Sequence, residues 1–465
     1  MRDAAVEAHR VSAEVTRATP RDLFTLAWPV ILSRSTQTVV GLADALMSAG
    51  LGSDALAAVT TGAINLFSIG ILPMGTVFIV QSFAAQLQGR GDLPAARRYG
   101  FYGLLLAAIS TVLAIAATPF VGAAVNLFHF PPAMASEMTG YLQWRAWSMG
   151  AFVGMEALSN WFGGLGDTKV GLRASVVTMV ANVALNWVLI FGHLGAPAMG
   201  VRGAALASGL ATVAGLVLLL MAFAQRQREL GVGAKLALKR AEFMRMLRFG
   251  IPNGLNWFME ISAFTLFLNT VVSKLGTPVL AALNAILQLN SIAFMPAFGL
   301  ASAGAVLVGQ AIGRGDRDDV PRLLRMTLLR GALWMMAIGA VYLLVPHAVI
   351  RMFASGPDGA ELMRIGAPML MLSAGWQLFD AFGITVGEAL RAAGDTAWCM
   401  WARLVAGWVV FVPLAWYMVS VRGGGALTAI GCIIVYIALL AGVLTWRFQS
   451  GAWRRIELVE AEPVV

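Results

Sequence analysis

Apolar residues in this chain form long unbroken stretches and do not alternate with polar residues. Stretches of roughly 20 apolar residues, separated by polar or glycine-rich turns, recur along most of the 465 residues. A helix of ~20 residues crosses the ~30 Å hydrocarbon layer of a bilayer, whereas the strands of a membrane barrel alternate in hydrophobicity. The pattern predicts an all-α polytopic membrane protein with about twelve transmembrane helices. The predicted spans lie near residues 24–49, 55–82, 99–124, 140–163, 171–193, 202–224, 249–274, 279–309, 326–350, 362–389, 397–420 and 425–447.

Two polar turns each occur twice. Gln86-Leu-Gln-Gly-Arg-Gly-Asp92 returns 224 residues later as Gln310-Ala-Ile-Gly-Arg-Gly-Asp316. Gly166-Asp-Thr168 returns as Gly394-Asp-Thr396 at an offset of 228. This spacing indicates two homologous halves. Because each half carries six spans, the two six-helix lobes have the same orientation, and their pseudo-twofold axis lies along the membrane normal.

The polar stretches divide the chain into five segments. Residues 225–248 are the most polar internal stretch, and we expect them to link an N lobe at 21–224 to a C lobe at 249–447. Residues 1–20 and 448–465 are predicted to be cytoplasmic tails. The first of these tails carries charges throughout and lacks the apolar core of a signal peptide.

The composition supports the prediction of a membrane protein, and the distribution of charged residues predicts its topology. Hydrophobic residues make up 59% of the chain and charged residues 12%, against about 25% charged in a soluble domain. The net charge of +9 comes from basic residues concentrated on the side of both termini, which the positive-inside rule places in the cytoplasm. We therefore expect a bacterial-type cytoplasmic (inner) membrane protein with no nucleic-acid partner. The opposite side carries only Arg145, Arg202, Lys274, Arg351, Arg364 and Arg422, and Arg34 lies inside the first span.

Acidic residues within the spans are the strongest indication of a functional site. A carboxylate at the bilayer centre costs roughly 2.5–3.5 kcal/mol, so it is expected to face a cavity or a partner. Glu260 and Asp380 both lie ~14–15 Å from the cytoplasmic edge, at ~1.5 Å per helical residue. Two acids at one depth predict a shared proton or a bound monovalent cation such as Na⁺. The alternative is that each acid is structural and pairs with Arg34, Arg391 or Arg403.

Asp44 is the corresponding candidate in the first half. Asn182 and Asn186 are four residues apart and therefore lie on one helical face. Their amide oxygens, placed beside the Asp44 carboxylate, would form a site suited to Na⁺ or to a titrating proton. The alternative for the two asparagines is ordinary hydrogen bonding between membrane helices.

Other polar residues in the spans are weaker candidates. Arg34 is expected to complement a carboxylate that the sequence does not identify, and Pro29 is expected to bend the first helix. Glu388 lies one turn from the cytoplasmic end of its span, where we expect exposure to solvent. The remaining secondary candidates are Glu156, Asn284 and Gln288.

The motifs resemble those of the multidrug and toxic compound extrusion (MATE) family of secondary transporters. The resemblance covers about residues 20–447 and includes both pairs of repeated turns. Its most specific block begins with Asn182-Val-Ala-Leu-Asn186, and the chain departs from many relatives where Asn284-Ala285 replaces His-Gln and where Arg34 is present. The other shared residues are Pro29, Asp44, Gly192, Gly195, Pro197, Gly200 and Gly203.

The resemblance implies a fold and assigns roles to these residues. It implies twelve helices in two six-helix lobes, with Pro29 matching a proline associated with bending of the first helix. Asp44 and its two asparagines match a first-lobe cation site. Glu260 and Asp380 look like the second-lobe acids of the NorM-like branch of the family.

We therefore expect a secondary transporter and not an enzyme. It would export cationic, amphipathic compounds across the lipid bilayer in exchange for Na⁺ or H⁺, as a monomer with no cofactor beyond the coupling ion. The chain has no glycine-rich phosphate loop and no Cys/His metal spacing, which disfavours ATP-driven transport. One alternative is a flippase of lipid-linked oligosaccharides or lipids from the same superfamily, which would need a cleft rich in Arg and Lys. Another is a polytopic membrane enzyme, which would need clustered His, Cys or acids at a membrane surface.

Overall fold

The computed structural model describes residues 17–127, 130–229, 237–353 and 359–460, and within these ranges the secondary structure is helical throughout, with no strand. Parts of the predicted N-terminal tail (1–16), linker (230–236) and C-terminal tail (461–465) lie outside the described residues. The helices are α1 Pro20–Ala49, α2 Ser53–Val77, α3 Ile79–Arg90, α4 Leu93–Ala117, α5 Val121–Asn126, α6 Pro132–Ala146, α7 Met149–Gly164, α8 Thr168–Phe191, α9 Gly200–Glu229, α10 Arg240–Thr270, α11 Thr277–Gly313, α12 Val320–Leu344, α13 Pro346–Arg351, α14 Gly359–Ala393, α15 Thr396–Leu404, α16 Val412–Trp416 and α17 Ala426–Gln449.

The predicted fold class is confirmed. Ten helical segments of the described chain are long and apolar enough to cross a membrane, with α2 and α3 forming one of them and α15 continuing to Val421 through two π-helical segments. The two remaining predicted spans are α1, which carries charged residues, and the pair α6 and α7. The twelve spans form two six-helix lobes, α1–α9 and α10–α17.

Two predicted boundaries differ from the structure. The span predicted at 140–163 is broken between Ala146 and Met149, where the Ser148 hydroxyl donates to the Arg145 carbonyl at 2.7 Å and Arg145 donates back to that hydroxyl at 2.8 Å. The sequence shows no proline at this point. In the predicted linker, α9 extends to Glu229 and α10 begins at Arg240, so polar helix ends continue beyond the apolar spans.

The lobes pack against each other through glycines related by the repeat. A Cβ atom on Gly75 would lie 2.7 Å from the Cα of Gly254, and one on Gly299 would lie 2.5 Å from the Ile31 side chain. Gly75 and Gly299 are 224 residues apart, while Ile31 and Gly254 are 223 apart. The same helix crossing therefore occurs twice, with small residues allowing the backbones to approach closely.

The two copies of the repeated turn lie at the same face of the bundle and hold the lobes together crosswise. Gln86 donates to the carbonyl oxygen of Ala392 in the other lobe at 2.8 Å, and Gln310 donates to the carbonyl oxygen of Gly164 at 3.3 Å. The turns themselves depend on Gly91, with φ 79°, and on its counterpart Gly315, with φ 86°. We call this side of the bundle the tail face, defined by residues 86–92, 310–316 and 451–460.

The segment 451–460 crosses the tail face and touches both lobes. Arg90 of the first lobe donates to the carbonyl oxygens of Val459 at 2.9 Å and Glu460 at 2.8 Å. Arg317 of the second lobe donates to the carbonyl oxygens of Arg454 and Ile456. Three apolar side chains of the segment are almost fully buried, so it is a docked part of the fold. They are Trp453, Leu458 and Val459.

Candidate functional site

Each lobe encloses a cavity, and the first-lobe cavity contains Asp44. This cavity has a volume of about 270 Å³, and Asp44 is only 8% exposed. The side-chain amides of Asn182 and Asn186 donate to Asp44 Oδ1 at 3.0 and 2.6 Å, and the Ser208 hydroxyl donates to Oδ2 at 3.0 Å. Among the described residues Asp44 forms no ion pair, so its three hydrogen-bond donors are all neutral, while Arg145 also lines the cavity.

The structure brings together the three predicted residues, but in a different arrangement of donors and acceptors. The sequence prediction placed amide oxygens beside Asp44, whereas here both asparagines present amide N–H groups to it. Asn186 also donates to the Asn182 oxygen at 3.2 Å, which leaves Asn186 Oδ1 buried without a partner in the described residues. A buried carbonyl oxygen normally has a hydrogen-bond donor or a cation next to it.

Arg34 has a partner within its own lobe. Its Nη1 and Nη2 atoms donate to the two oxygens of Glu156 at 2.9 and 3.1 Å, and Gln37 adds a longer bond of 3.4 Å. The guanidinium carbon also lies 5.3 Å from the ring centre of Phe78 and 5.9 Å from that of Phe298, which belongs to the second lobe. Arg34 therefore neutralises Glu156 at the boundary between the lobes and leaves Asp44 unpaired.

The second-lobe cavity is larger, about 430 Å³, and contains the other two predicted acids. Glu260 of α10 and Asp380 of α14 both line it, although they are 120 residues apart in the chain. Arg403 of α15 also lines this cavity and forms an ion pair with Glu260. The pairing that the sequence offered as an alternative for Glu260 is therefore present, whereas no ion pair joins Asp380 to another described residue.

Several polar atoms in this cavity lack a partner among the described residues. They are Asn256 Oδ1, Arg403 Nε and the Tyr436 hydroxyl, and all three residues line the cavity. A water molecule occupies about 30 Å³ of liquid and satisfies two to four such atoms. The cavity thus has the volume and the chemistry to hold water or a polar ligand.

Glu388 contradicts its prediction. The sequence predicted solvent exposure, but Glu388 is 8% exposed and pairs with Arg391, which is 3% exposed. Arg391 reaches across to the first lobe, donating to the Phe78 carbonyl at 3.0 Å, the Ser82 hydroxyl at 3.2 Å and the Gln81 side-chain oxygen at 2.7 Å. Proximity to a helix end does not expose Glu388, because the other lobe covers it.

Three further candidates lie outside the cavities. Asn284 and Gln288 are exposed on α11 and do not line either cavity, whereas Asn290 on the same helix does and accepts from Gln377 at 3.0 Å. Pro29 is buried inside α1, which continues through it without a break. Its role as a hinge stays a prediction.

Aromatic side chains line the second-lobe cavity where it meets the first lobe. Trp257 packs at 5.8 Å from Phe298 and at 5.9 Å from Phe78, and Phe294 stacks on Phe298 at 5.9 Å. Trp257, Phe294 and Phe298 belong to the cavity wall. Aromatic faces attract organic cations as well as apolar groups, so this wall suits flat, positively charged molecules.

Sequence reasoning missed part of the site. Ser208 was not among the predicted site residues, yet its hydroxyl donates to Asp44. Arg391 and Arg403 were named only as alternative partners of the acids. The signal for both arginines was their place inside or next to an apolar span, where an unpaired guanidinium is costly.

The comparison with protein families gives one match in each half of the chain. The MatE family model matches residues 29–188 and 257–417. These two segments correspond to the repeat and together cover more than half of the chain.

Sequence relatives and solved structures agree with this match. The chain is 30% identical to a probable multidrug resistance protein NorM of Rhizobium meliloti over 94% of both chains, and 25% identical to the multidrug resistance protein MdtK of Yersinia enterocolitica over 84% of this chain and 86% of that one. A MOP superfamily transporter from Pyrococcus furiosus has the same fold, with a TM-score of 0.84 at 19% identity over 95% of this chain and 98% of that one. A multidrug resistance MATE family transporter in an outward-facing conformation gives a TM-score of 0.82 at 19% identity with the same coverage.

Proposed function

This chain belongs to the MatE family of membrane transporters, with NorM-like relatives, and on that premise we propose that it exports cationic amphipathic compounds in exchange for Na⁺ or H⁺. Export would proceed by alternating access of the two lobes to the two sides of the membrane. The multidrug resistance proteins NorM and MdtK among its relatives support multidrug efflux as the general activity.

The observation that carries the proposal is the Asp44 carboxylate. It is buried, lies in a cavity and has three neutral hydrogen-bond donors, and although Arg145 also lines that cavity, no ion pair joins Asp44 to another described residue. Three hydrogen bonds to a charged group, at about 1.5–3 kcal/mol each, are comparable to the several kcal/mol that a buried ion costs, so the carboxylate can stay charged without a cation. A proton or a monovalent cation would bind to this charge at Asp44, and its release would restore the charge for another cation.

The second lobe supports the same chemistry and adds a surface for the substrate. Glu260 and Asp380 line a cavity whose wall includes Trp257, Phe294 and Phe298. A flat organic cation gains from aromatic faces and from a carboxylate nearby. Substrate and coupling cation would thus compete for the same negative charge, which is the basis of exchange.

The arrangement of the lobes supports an outward-facing state. The contacts described above between the lobes lie in the half of the bundle that is nearer the tail face. They involve Gly75, Gly299 and Arg391 and the hydrogen bonds that Gln86 and Gln310 donate to the opposite lobe. With the tail face in the cytoplasm, these contacts would close the cytoplasmic side while the lobes separate on the other. Return to the inward-facing state would break them.

The driving force depends on how many coupling ions move. Exchange of one monovalent cation for one monovalent substrate is electroneutral, so only the ion concentration gradient contributes, ~1.4 kcal/mol per tenfold. A second ion, one per lobe, would carry net charge inward and add ~2.3 kcal/mol per 100 mV. Because each lobe has an acid site, two coupling ions could be exchanged for one substrate molecule.

The other expectations from the sequence belong to this proposal. The protein would act as a monomer in a bacterial-type cytoplasmic membrane, with both termini in the cytoplasm. It would bind lipid and small organic cations, with no nucleic acid and no cofactor other than the coupling ion.

Proteoliposomes containing the purified full-length protein test the proposal. Ethidium movement would be followed by fluorescence under an imposed Na⁺ gradient, an imposed proton gradient, or no gradient. We expect movement against its own concentration gradient with at least one ion gradient, and none without. A valinomycin-set potassium potential would then show whether the exchange carries charge. Absence of ethidium movement with both ion gradients would contradict the proposal.

A further inference from the structure

Arg403 provides a positive charge inside the second-lobe cavity. Its guanidinium forms an ion pair with Glu260, with the Arg403 side chain 16% exposed and that of Glu260 34% exposed. Asp380 lines the same cavity, and no ion pair joins it to another described residue. The second lobe therefore holds two acids, of which one already has a cation.

The position of Arg403 is not repeated in the first lobe. At the offset of 228 defined by the Gly-Asp-Thr turns, Arg403 corresponds to Ser175. The Ser175 hydroxyl is hydrogen-bonded to the Ser33 hydroxyl at 2.6 Å, and unlike a guanidinium it carries no charge. In the first lobe the paired acid is Glu156, and its arginine is Arg34 of α1, so the two lobes carry the paired cation on different helices.

The charged residues of the second-lobe cavity favour the binding of a proton over the binding of a metal ion. Na⁺ binds through several oxygens and needs nearby negative charge, but the charge of Glu260 is already compensated by Arg403. A metal ion between Glu260 and Asp380 would also lie close to the guanidinium and be repelled by it. A proton on Asp380 neutralises that carboxylate through a covalent O–H bond and needs no oxygen ligands from Glu260, which is held by Arg403.

The other described groups around Asp380 do not provide a positive charge that would pair with its carboxylate. The pair of Glu388 and Arg391, on the same helix, compensates itself. The α11 helix adds the neutral Asn290 to the cavity wall. The remaining titratable groups of the cavity wall are Cys399 on α15 and Tyr436 on α17.

We propose that Arg403 is a tethered cation, which takes the place of a metal ion at Glu260 and thereby reserves the second lobe for a proton carried by Asp380. This inference rests on the proposed exchange function and deepens it by naming the coupling ion of one lobe. During exchange the proton would bind to the Asp380 carboxylate from one side of the membrane and leave it to the other. Arg403 itself would keep its charge.

Ion binding to the purified full-length protein tests this role without any transport. All variants would carry Asp44→Asn, so that the first lobe does not contribute. Thermal unfolding and tryptophan fluorescence, to which Trp257 of the cavity wall contributes, would be recorded in NaCl and in KCl of equal ionic strength at about pH 8.

We expect no specific effect of Na⁺ on the Asp44→Asn parent. Adding Arg403→Gln would leave both acids without a cation and create a Na⁺ response, because a ligand that binds only the folded state stabilises it. Arg403→Lys keeps the charge and would show no Na⁺ response. Glu260→Gln combined with Arg403→Gln would abolish the response again. A Na⁺ response of the parent that Glu260→Gln removes would overturn the proposal, and so would a folded Arg403→Gln variant that does not respond to Na⁺.

A second measurement decides the matter if Arg403→Gln does not fold. In the parent, a pH titration of the tryptophan fluorescence should contain a transition that Asp380→Asn removes. A titration that Asp380→Asn leaves unchanged would overturn the proposal. Neither measurement uses a substrate or a gradient, so either result is independent of whether the chain exports drugs.

Discussion

Arg34 and Glu156, 122 residues apart in the chain, form a bidentate ion pair with N–O distances of 2.9 and 3.1 Å. Both side chains are largely buried, at 16% and 7% exposed. The pair explains how α1 can carry an arginine next to the cavity of Asp44. It also places a guanidinium against Phe298 of the other lobe.

Replacing one member of this pair should lower the stability of the protein more than replacing both. Arg34→Gln or Glu156→Gln leaves a buried charge without its partner, which costs about 3–5 kcal/mol, whereas the double variant leaves none. Thermal unfolding in detergent would give the lowest melting temperatures for the two single variants. Equal losses that simply add in the double variant would show that the two residues do not interact.

A methyl group at Gly313 should disturb the contact between the lobes. The new Cβ would overlap with the carbonyl oxygen of Gln86 in the other lobe. Overpacking of this kind costs about 1–3 kcal/mol. Gly442→Ala is the control, because nothing lies within 4 Å of its Cβ position. We expect Gly313→Ala to lower the melting temperature and to make a cysteine introduced at the tail face easier to label, and Gly442→Ala to do neither.

Docking of the C-terminal segment predicts a difference between two tryptophans. Trp453 is 2% exposed at the tail face, and its removal should cost about 3–5 kcal/mol. Trp401 is 57% exposed on α15, and its removal should have little effect on stability. Limited proteolysis and thermal unfolding of Trp453→Ala and Trp401→Ala would compare them. Equal stability of the two variants would mean that the segment is not docked in the membrane-embedded protein.

The second-lobe acids should be necessary for full coupling. Glu260→Gln and Asp380→Asn together remove both carboxylates from the cavity wall, and we expect gradient-driven ethidium export to fall by roughly tenfold, equivalent to ~1.4 kcal/mol. Glu361→Gln is the matched control, because Glu361 has a half-exposed side chain in the first turn of the same helix as Asp380. Export that is undiminished in the double variant would rule out a coupling role for the second lobe.

The sequence was sufficient for the fold and for the acids but not for their partners. Long apolar stretches and the repeated turns predict the two six-helix lobes, since hydrophobicity and periodicity are local properties. Asp44 and its two asparagines were predicted as a group because helical spacing places both asparagines on one face. In the structure the asparagines donate to Asp44, which matches the alternative of hydrogen bonding between helices, and the sequence does not decide between the two because an amide offers both a donor and an acceptor.

Ion pairs between residues that are far apart in the chain could not be predicted from the sequence, for a physical reason. Any of three arginines was a reasonable partner for Glu260, and only the packing of α15 against α10 selects Arg403. Glu388 was predicted to be exposed because it lies near a helix end, and the other lobe buries it instead. Spacing along one helix does not report what a different helix covers.

The central claim is that a coupling cation occupies the buried Asp44 carboxylate. Asp44→Asn removes that charge with almost no change in shape, while Asp54→Asn removes an exposed carboxylate at the start of the neighbouring helix. The deciding measurement is ethidium movement into proteoliposomes against its gradient, driven by the ion that is effective for the unmodified protein. We predict that Asp44→Asn loses at least about nine-tenths of this movement, equivalent to ~1.4 kcal/mol, and that Asp54→Asn loses none. Undiminished coupled transport by Asp44→Asn would contradict the account.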